Sequence, residues 1–264
     1  MTRTAKAPRA RLSSQALATI ERRQRDGRRR RGIRALVAVI VAAALAGGIA
    51  LATRAGDRSA AEHVIPAQGT PHIRADYYGT RDGTTVLSGG NAPHTLDLYA
   101  DFLCPQCGRL HKALGTAIEQ ATESGRLQVR YHMVPLLVDF SNPAGYSLDA
   151  ANAALCAADA GTFLPFHASL FADQPKEGRR GYDRSQLTDL GHRLGITNQT
   201  FDSCVTTGAY DARLRQELTR VSADPALQQP GARNSRFGTP TAVADGTHLV
   251  DLTTSDWLDR LLAS

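Results

Sequence analysis

The stretch Thr95 to Cys107 constrains this chain most. A β-prone, partly apolar run, Thr95 to Ala100, leads straight into Cys104-Pro105-Gln106-Cys107. Leu110, Leu114, Ala117, Ile118 and Ala121 follow at helical spacing. A strand ending at Phe102-Leu103 thus delivers Cys104 to the start of a helix. Cys104 serves as N-cap and Pro105 as first helical residue, where its missing N–H costs nothing. The backbone N–H of Cys107 then points back toward the Cys104 sulfur. A thiolate at Cys104 gains that hydrogen bond and the positive end of the helix dipole, which lowers its pKa and makes it a better leaving group. Cys107 lies one turn on and is more shielded. The roles follow: Cys104 exchanges with a partner sulfur, and Cys107 resolves the mixed disulfide.

Other readings of the pair are weaker. C-x-x-C is also half of a zinc site, but the sequence has no second C-x-x-C and no H-x₃-H, so no metal is expected. A purely structural bridge over so short a loop constrains the unfolded chain little.

The rest of the chain is organised around this segment. Thr84 to Leu87 is a short strand, and Leu127 to Val134 alternates Leu127, Val129, Tyr131 and Met133 before Pro135 ends it. Strand, helix, strand makes a βαβ unit. Residues 141–230 carry helical patterns at 150–160, 163–171, 186–194, 198–208 and 210–223 and no convincing strand, and read as a helical insertion. Thr241 to Ala244 and Thr247 to Val250 flank Asp245-Gly246, a two-residue hairpin signal. Thr254 to Ala263 closes the chain as a helix. Phe163, Phe166, Phe171 and Trp257 read as packing rather than as a ligand cage.

Charge separates the N-terminal region from this body. Residues 1–34 hold twelve Lys or Arg against Glu21 and Asp26, about +10, which leaves the remainder near −4. The basic run abuts Ala35 to Ala52, which contains no charge. At ~1.5 Å per residue such a helix is roughly 27 Å long, near the hydrocarbon thickness of a bilayer. Arginines before a span hold that end in the cytoplasm, which argues for membrane orientation and against nucleic-acid binding. The expectation is a basic cytoplasmic tail over 1–34, a transmembrane helix over 35–53, a linker over 54–75 and a folded domain over 76–264. An uncleaved anchor is favoured; Ala50-Leu51-Ala52 leaves a cleaved signal peptide as the alternative. Either way the body lies outside the cytoplasm, single-pass and facing an oxidising compartment where four cysteines suggest two disulfides.

Tyr99-Ala100-Asp101-Phe102-Leu103-Cys104-Pro105-Gln106-Cys107 resembles the active-site segment of DsbA-like proteins of the thioredoxin superfamily. The helical insertion and Gly238-Thr239-Pro240-Thr241 are similar to that family too, over roughly residues 76–264. The resemblance implies an α/β thioredoxin fold with an inserted helical domain, of the membrane-anchored actinobacterial type. It implies a cis Pro240 facing Cys104 and Cys107, with Thr239 presenting its backbone to an extended substrate peptide. The implied activity is dithiol oxidation in reduced secreted or membrane proteins, without a cofactor, by a monomer recycled by a membrane quinone-linked disulfide oxidase. Thr239 before Pro240 is similar to isomerase-type relatives, so a reductase or isomerase remains open. So does a tethered metal- or peptide-binding module without turnover.

The sequence departs from the family in two ways. The dipeptide Pro105-Gln106 replaces the Pro-His of strong oxidases, and neutral Gln106 helps the Cys104 thiolate less. Related proteins often carry a buried acid six residues before the first cysteine, where this chain has Leu98. Asp101 is nearer, but strand alternation points it to the other face, which leaves a carboxylate relay for Cys107 in doubt. His111, one turn beyond Cys107, reads as a solvated surface histidine, with a tuning role as the alternative. Cys156 and Cys204 read as a structural disulfide, with two free thiols or a second redox relay as alternatives. DsbA-like proteins of high-GC Gram-positive bacteria are similar in carrying such a bridge.

Overall fold

A computed structural model describes residues 63–69, 81–229 and 236–263. The expected tail, span and most of the linker lie outside the described residues. Among those described, no helix is long and apolar enough to cross a membrane.

The elements follow from local pattern. Strands β1 (Arg81–Asp82), β2 (Thr85–Ser88), β3 (His94–Ala100) and β4 (Leu127–Met133) precede the helical region, and β5 (Thr241–Ala244) and β6 (His248–Leu249) follow it. Helix α1 (Pro105–Glu123) joins β3 to β4. Helices α2 (Tyr146–Asp159), α3 (Phe163–Ala172), α4 (Arg184–Arg193), α5 (Gln199–Thr207) and α6 (Asp211–Ala223) form the insertion, and α7 (Trp257–Ala263) ends the chain. Asp245 and Gly246 both have positive φ, 48° and 73°. That conformation suits a tight hairpin, and Gly246 takes it without steric penalty.

The sheet order is β1-β2-β4-β3-β5-β6. β3 and β4 pair in parallel across the α1 crossover, while β2 and β5 pair antiparallel on either side. The parallel pair is therefore central and covered on both faces. Its buried residues Leu96, Leu98, Leu127 and Val129 read accordingly as apolar runs. The N-terminal end of α1 emerges from the end of this central strand, which is where Cys104 sits.

Two details differ from the expected pattern. On α1 the buried positions are Cys107, Gly115, Ile118, Ala121 and Thr122, and Ala117 is exposed. The helix buries a stripe rotated toward the insertion, because α3 packs against it. Asp101 does not follow strand alternation: β3 ends at Ala100, and the chain turns so that the Asp101 carboxyl is buried.

Candidate active site

Cys104 caps α1 with an extended backbone (φ −70°, ψ 118°), and Pro105 opens the helix. Proline supplies the helical φ in advance and needs no hydrogen-bond partner there. Both cysteines are free thiols and both are buried. Across the site the Thr239-Pro240 peptide bond is cis. Cys104 Sγ lies 3.1 Å from the Thr239 carbonyl, to which it donates when protonated, and 4.0 Å from Gln106 Oε1.

The two sulfurs are electrostatically unlike. The Cys104 thiol is pulled down from the ordinary 9.0 to about 6. The largest cause is the hydrogen bond from the Cys107 thiol. Burial opposes it, while the Thr239 side chain and the N–H groups of Cys107 and Gln106 reinforce it. The Thr239 hydroxyl is buried without a hydrogen-bond partner. Cys107 is pushed well up, chiefly by burial and then by its hydrogen bond with Cys104. At neutral pH these surroundings favour the thiolate at the outer sulfur and the thiol at the inner one.

Three polar side chains hold the site together. Asp101 Oδ1 accepts from Leu103 N at 2.8 Å, and Oδ2 accepts from Leu137 N at 2.8 Å and Ser147 Oγ at 2.6 Å. Burial raises its pKa, and those donors oppose the rise. Gln174, just beyond α3, donates from Nε2 to the carbonyls of Phe102 (2.9 Å) and Cys104 (2.8 Å). Gly108 makes that reach possible, because a Cβ there would stand 2.3 Å from Gln174 Oε1. Gln229 donates from Nε2 to the Pro240 carbonyl (2.8 Å) and Thr241 Oγ1 (2.7 Å), and so fixes the turn that bears Pro240.

Beside the sulfurs runs a groove of about 890 Å³, lined by Gln106, Arg109, Thr239, Pro240, Leu249 and Trp257 among others. No cluster of three or more His, Cys, Asp or Glu side chains able to hold a metal ion occurs among the described residues.

The family model described as thioredoxin matches residues 81–263. The chain belongs to the thioredoxin family. Within that family its solved neighbours are DsbA-like. The reduced disulfide oxidoreductase DsbG of Mycobacterium tuberculosis is 29% identical, with a TM-score of 0.55 over 64% of this chain and 76% of that one. Reduced DsbA of the same organism is 28% identical, with a TM-score of 0.55 over 66% of this chain and 82% of that one. Among curated proteins, the serine/threonine-protein kinase PknE of Mycobacterium tuberculosis is 32% identical over 225 residues, 81% of this chain. The chain spans 37% of the length of that kinase.

In this DsbA-like chain the structure brings Cys104, Cys107, Pro105, Gln106, Thr239 and Pro240 into one site. Cys156 and Cys204 lie elsewhere, in the insertion, joined by a 2.04 Å S–S bond between α2 and α5. Sequence reasoning set Asp101 aside and did not single out Gln174 or Gln229. No motif marks the two glutamines; they reach the site only because the insertion folds over it. His111 is not a solvated surface residue: it is half-buried, and its ring stacks on Phe171 at 5.2 Å.

Proposed function

We propose that this chain is a thiol–disulfide oxidoreductase acting through Cys104 and Cys107, and that it works as a dithiol oxidase on reduced secreted or membrane proteins. The observation that carries the reading is the contrast between the sulfurs: Cys104 titrates at about 6 while Cys107 stays protonated. In the oxidised pair, a substrate thiolate attacks Cys104 Sγ, and Cys107 leaves and takes a proton. A second substrate thiolate then attacks the substrate sulfur, and Cys104 leaves as a thiolate. A leaving group of low pKa favours that last step and makes the pair a stronger oxidant than an ordinary dithiol.

The substrate chain lies extended in the groove beside Pro240, with the Thr239 backbone as its hydrogen-bond partner. Thr239 and Pro240 are binding residues here, and Cys156–Cys204 is structural. The catalytic domain stands outside the cytoplasmic membrane, anchored by residues 35–53 as a single span with the basic tail inside. A membrane quinone-linked disulfide oxidase restores the Cys104–Cys107 disulfide, and the chain acts as a monomer.

A second reading, reductase or isomerase, uses the same sulfurs and is favoured by Thr239 before Pro240. The reduction potential separates the two: near −120 mV for a strong oxidant and about −270 mV for a reductant of the thioredoxin kind. The test of the shared chemistry is Cys107→Ala in cells. It traps mixed disulfides through Cys104, visible on non-reducing gels and lost on adding dithiothreitol. A trap variant with no captured proteins rules out protein substrates.

A further inference from the structure

The buried Cys107 sulfur must exchange a proton with solvent each time the disulfide opens or closes, and the residues already described offer no path for it. Asp101 is the nearest buried acid, but both its oxygens are occupied by three donors. Behind Cys107 lies a cavity of about 20 Å³, room for a single water. Cys107, His111, Glu119, Tyr131 and His167 supply its polar wall, and Leu98 and other apolar residues close it. His167, on α3, is buried in a ring of aromatic side chains, with His111 at 5.4 Å, Tyr131 at 5.1 Å and Phe171 at 4.8 Å between centroids. Its Nε2 is buried and has no hydrogen-bond partner. A buried polar nitrogen left unpaired is costly, so one in a native core needs a reason.

His111 belongs to two surroundings at once. Together with Glu119 and Phe171 it lines both this inner cavity and the open cleft beside Pro105, Lys112 and Gln174. Gly115 leaves room for its ring, since a Cβ there would stand 3.1 Å from Nδ1.

We propose that the cavity holds one water, kept by His167 Nε2, that passes the Cys107 proton to His111 and through it to solvent. Burial lowers the pKa of both imidazoles, and His111 further disfavours charge on His167. They therefore rest neutral and are free to accept. The groups facing the pair are Cys107 and Glu119 on α1, Tyr131 on β4 and, one shell out, Cys104 and Asp101. Glu119 has its pKa raised by burial and by Glu123, and the phenol of Tyr131 is held protonated by burial. When Cys107 resolves a mixed disulfide, its S–H proton passes to the water and on to His111. The freed electron pair forms the Cys107–Cys104 bond, the Cys104–substrate bond breaks, and the substrate sulfur leaves reduced as a thiolate. In the oxidase direction Cys107 leaves as thiolate and takes a proton back along the same path. His111 and His167 are positioning and relay residues for a chemistry that rests on the proposed oxidoreductase reading.

The test is rapid mixing of the full chain, with Cys104 and Cys107 reduced, with dithiobisnitrobenzoate. Attack by Cys104 releases one coloured thiolate, and attack by Cys107 on the resulting mixed disulfide releases a second. In His111→Ala and His167→Gln the second release should slow on the order of 10²-fold at neutral pH, the lower end of what a positioned acid–base group supplies. Its rate should then rise in proportion to hydroxide, and added imidazole should restore it in His111→Ala. A second release unchanged in rate and pH profile overturns the relay. So does a slowed release that keeps the wild-type profile and ignores imidazole, which is a packing defect. If His167→Gln does not fold, the half-buried His111 position decides alone. Absence of the first release from the unmodified chain overturns the oxidoreductase reading itself.

Discussion

At the residue scale, the difference between two cysteines three positions apart is one of surroundings. Cys104 receives hydrogen bonds from its partner thiol and from the first turn of α1, whereas Cys107 is enclosed by the core. The pH consequence can be worked out with its sign. The folded pKa of Cys104 lies below its ordinary 9.0. The thiolate therefore stabilises the reduced fold in full above that ordinary value, and the contribution fades as pH falls to about 6. Alkylation of Cys104 by iodoacetamide should rise with pH to a midpoint near 6 and then level off. In Cys107→Ala that midpoint should move up toward 9.0, because the largest stabilising donor is gone. An unmoved midpoint would mean that the Thr239 side chain and the backbone N–H groups suffice to hold the anion. Asp101 acts differently: its carboxyl joins the turn before α1 to Leu137 and to Ser147 on α2, and its charge adds to the rise in the Cys107 pKa.

At the scale of elements, the insertion is a set of helices tied by polar hubs. Arg184 donates to Asp149 Oδ1 (2.8 Å), Asp211 Oδ2 (2.9 Å) and the Thr206 carbonyl (2.9 Å), which joins α4 to α2, α5 and α6. Asp183 caps α4 in a full capping box with Gln186. Asn152, fully buried on α2, accepts from Tyr210 N at 2.9 Å and donates to the carbonyls of Cys204 and Val205. Beside it runs the Cys156–Cys204 bond, across a sequence separation of 48. Replacing both cysteines by Ala should lower unfolding stability by about 4 kcal/mol at most, the chain-entropy ceiling for such a loop, as read by urea denaturation. The Cys104 alkylation midpoint should stay in place, because this bond lies outside the site. A shifted midpoint would show that the bridge tunes the active sulfur.

At the scale of the whole molecule, the segment His63–Gly69 lies across the insertion and ends beside the site. The His63 and Ile65 carbonyls accept from Gln186 Nε2 (2.7 Å) and Arg193 Nη2 (2.9 Å), and Gln68 N donates to Ser169 Oγ (2.8 Å). Ile65 is wholly buried in the main core, while Gln68 and Gly69 reach the cleft beside Pro105 and Gly108. This arm binds α3 and α4 to the mouth of the active site. Ile65→Ala should cost about 2 kcal/mol or more in urea unfolding, and should open residues 66–69 to limited proteolysis. Resistance equal to that of the parent would show that the polar contacts suffice to hold the arm.

The sequence by itself determined the reactive element. A β-prone run, a Cys-Pro start and an apolar helical stripe are local signals, and local backbone preference places Cys104 at a helix N-terminus whatever surrounds it. The same holds for the Asp245-Gly246 hairpin and the helical character of the insertion. Only the tertiary structure decided which buried groups meet those sulfurs. Asp101 turned inward because β3 stops at Ala100, before the Phe102-Leu103 end that alternation assumed. His167, Gln174 and Gln229 came to the site from positions 63, 70 and 125 residues beyond Cys104 along the chain. Their contribution depends on distance in space, and spacing along the chain carries no record of that.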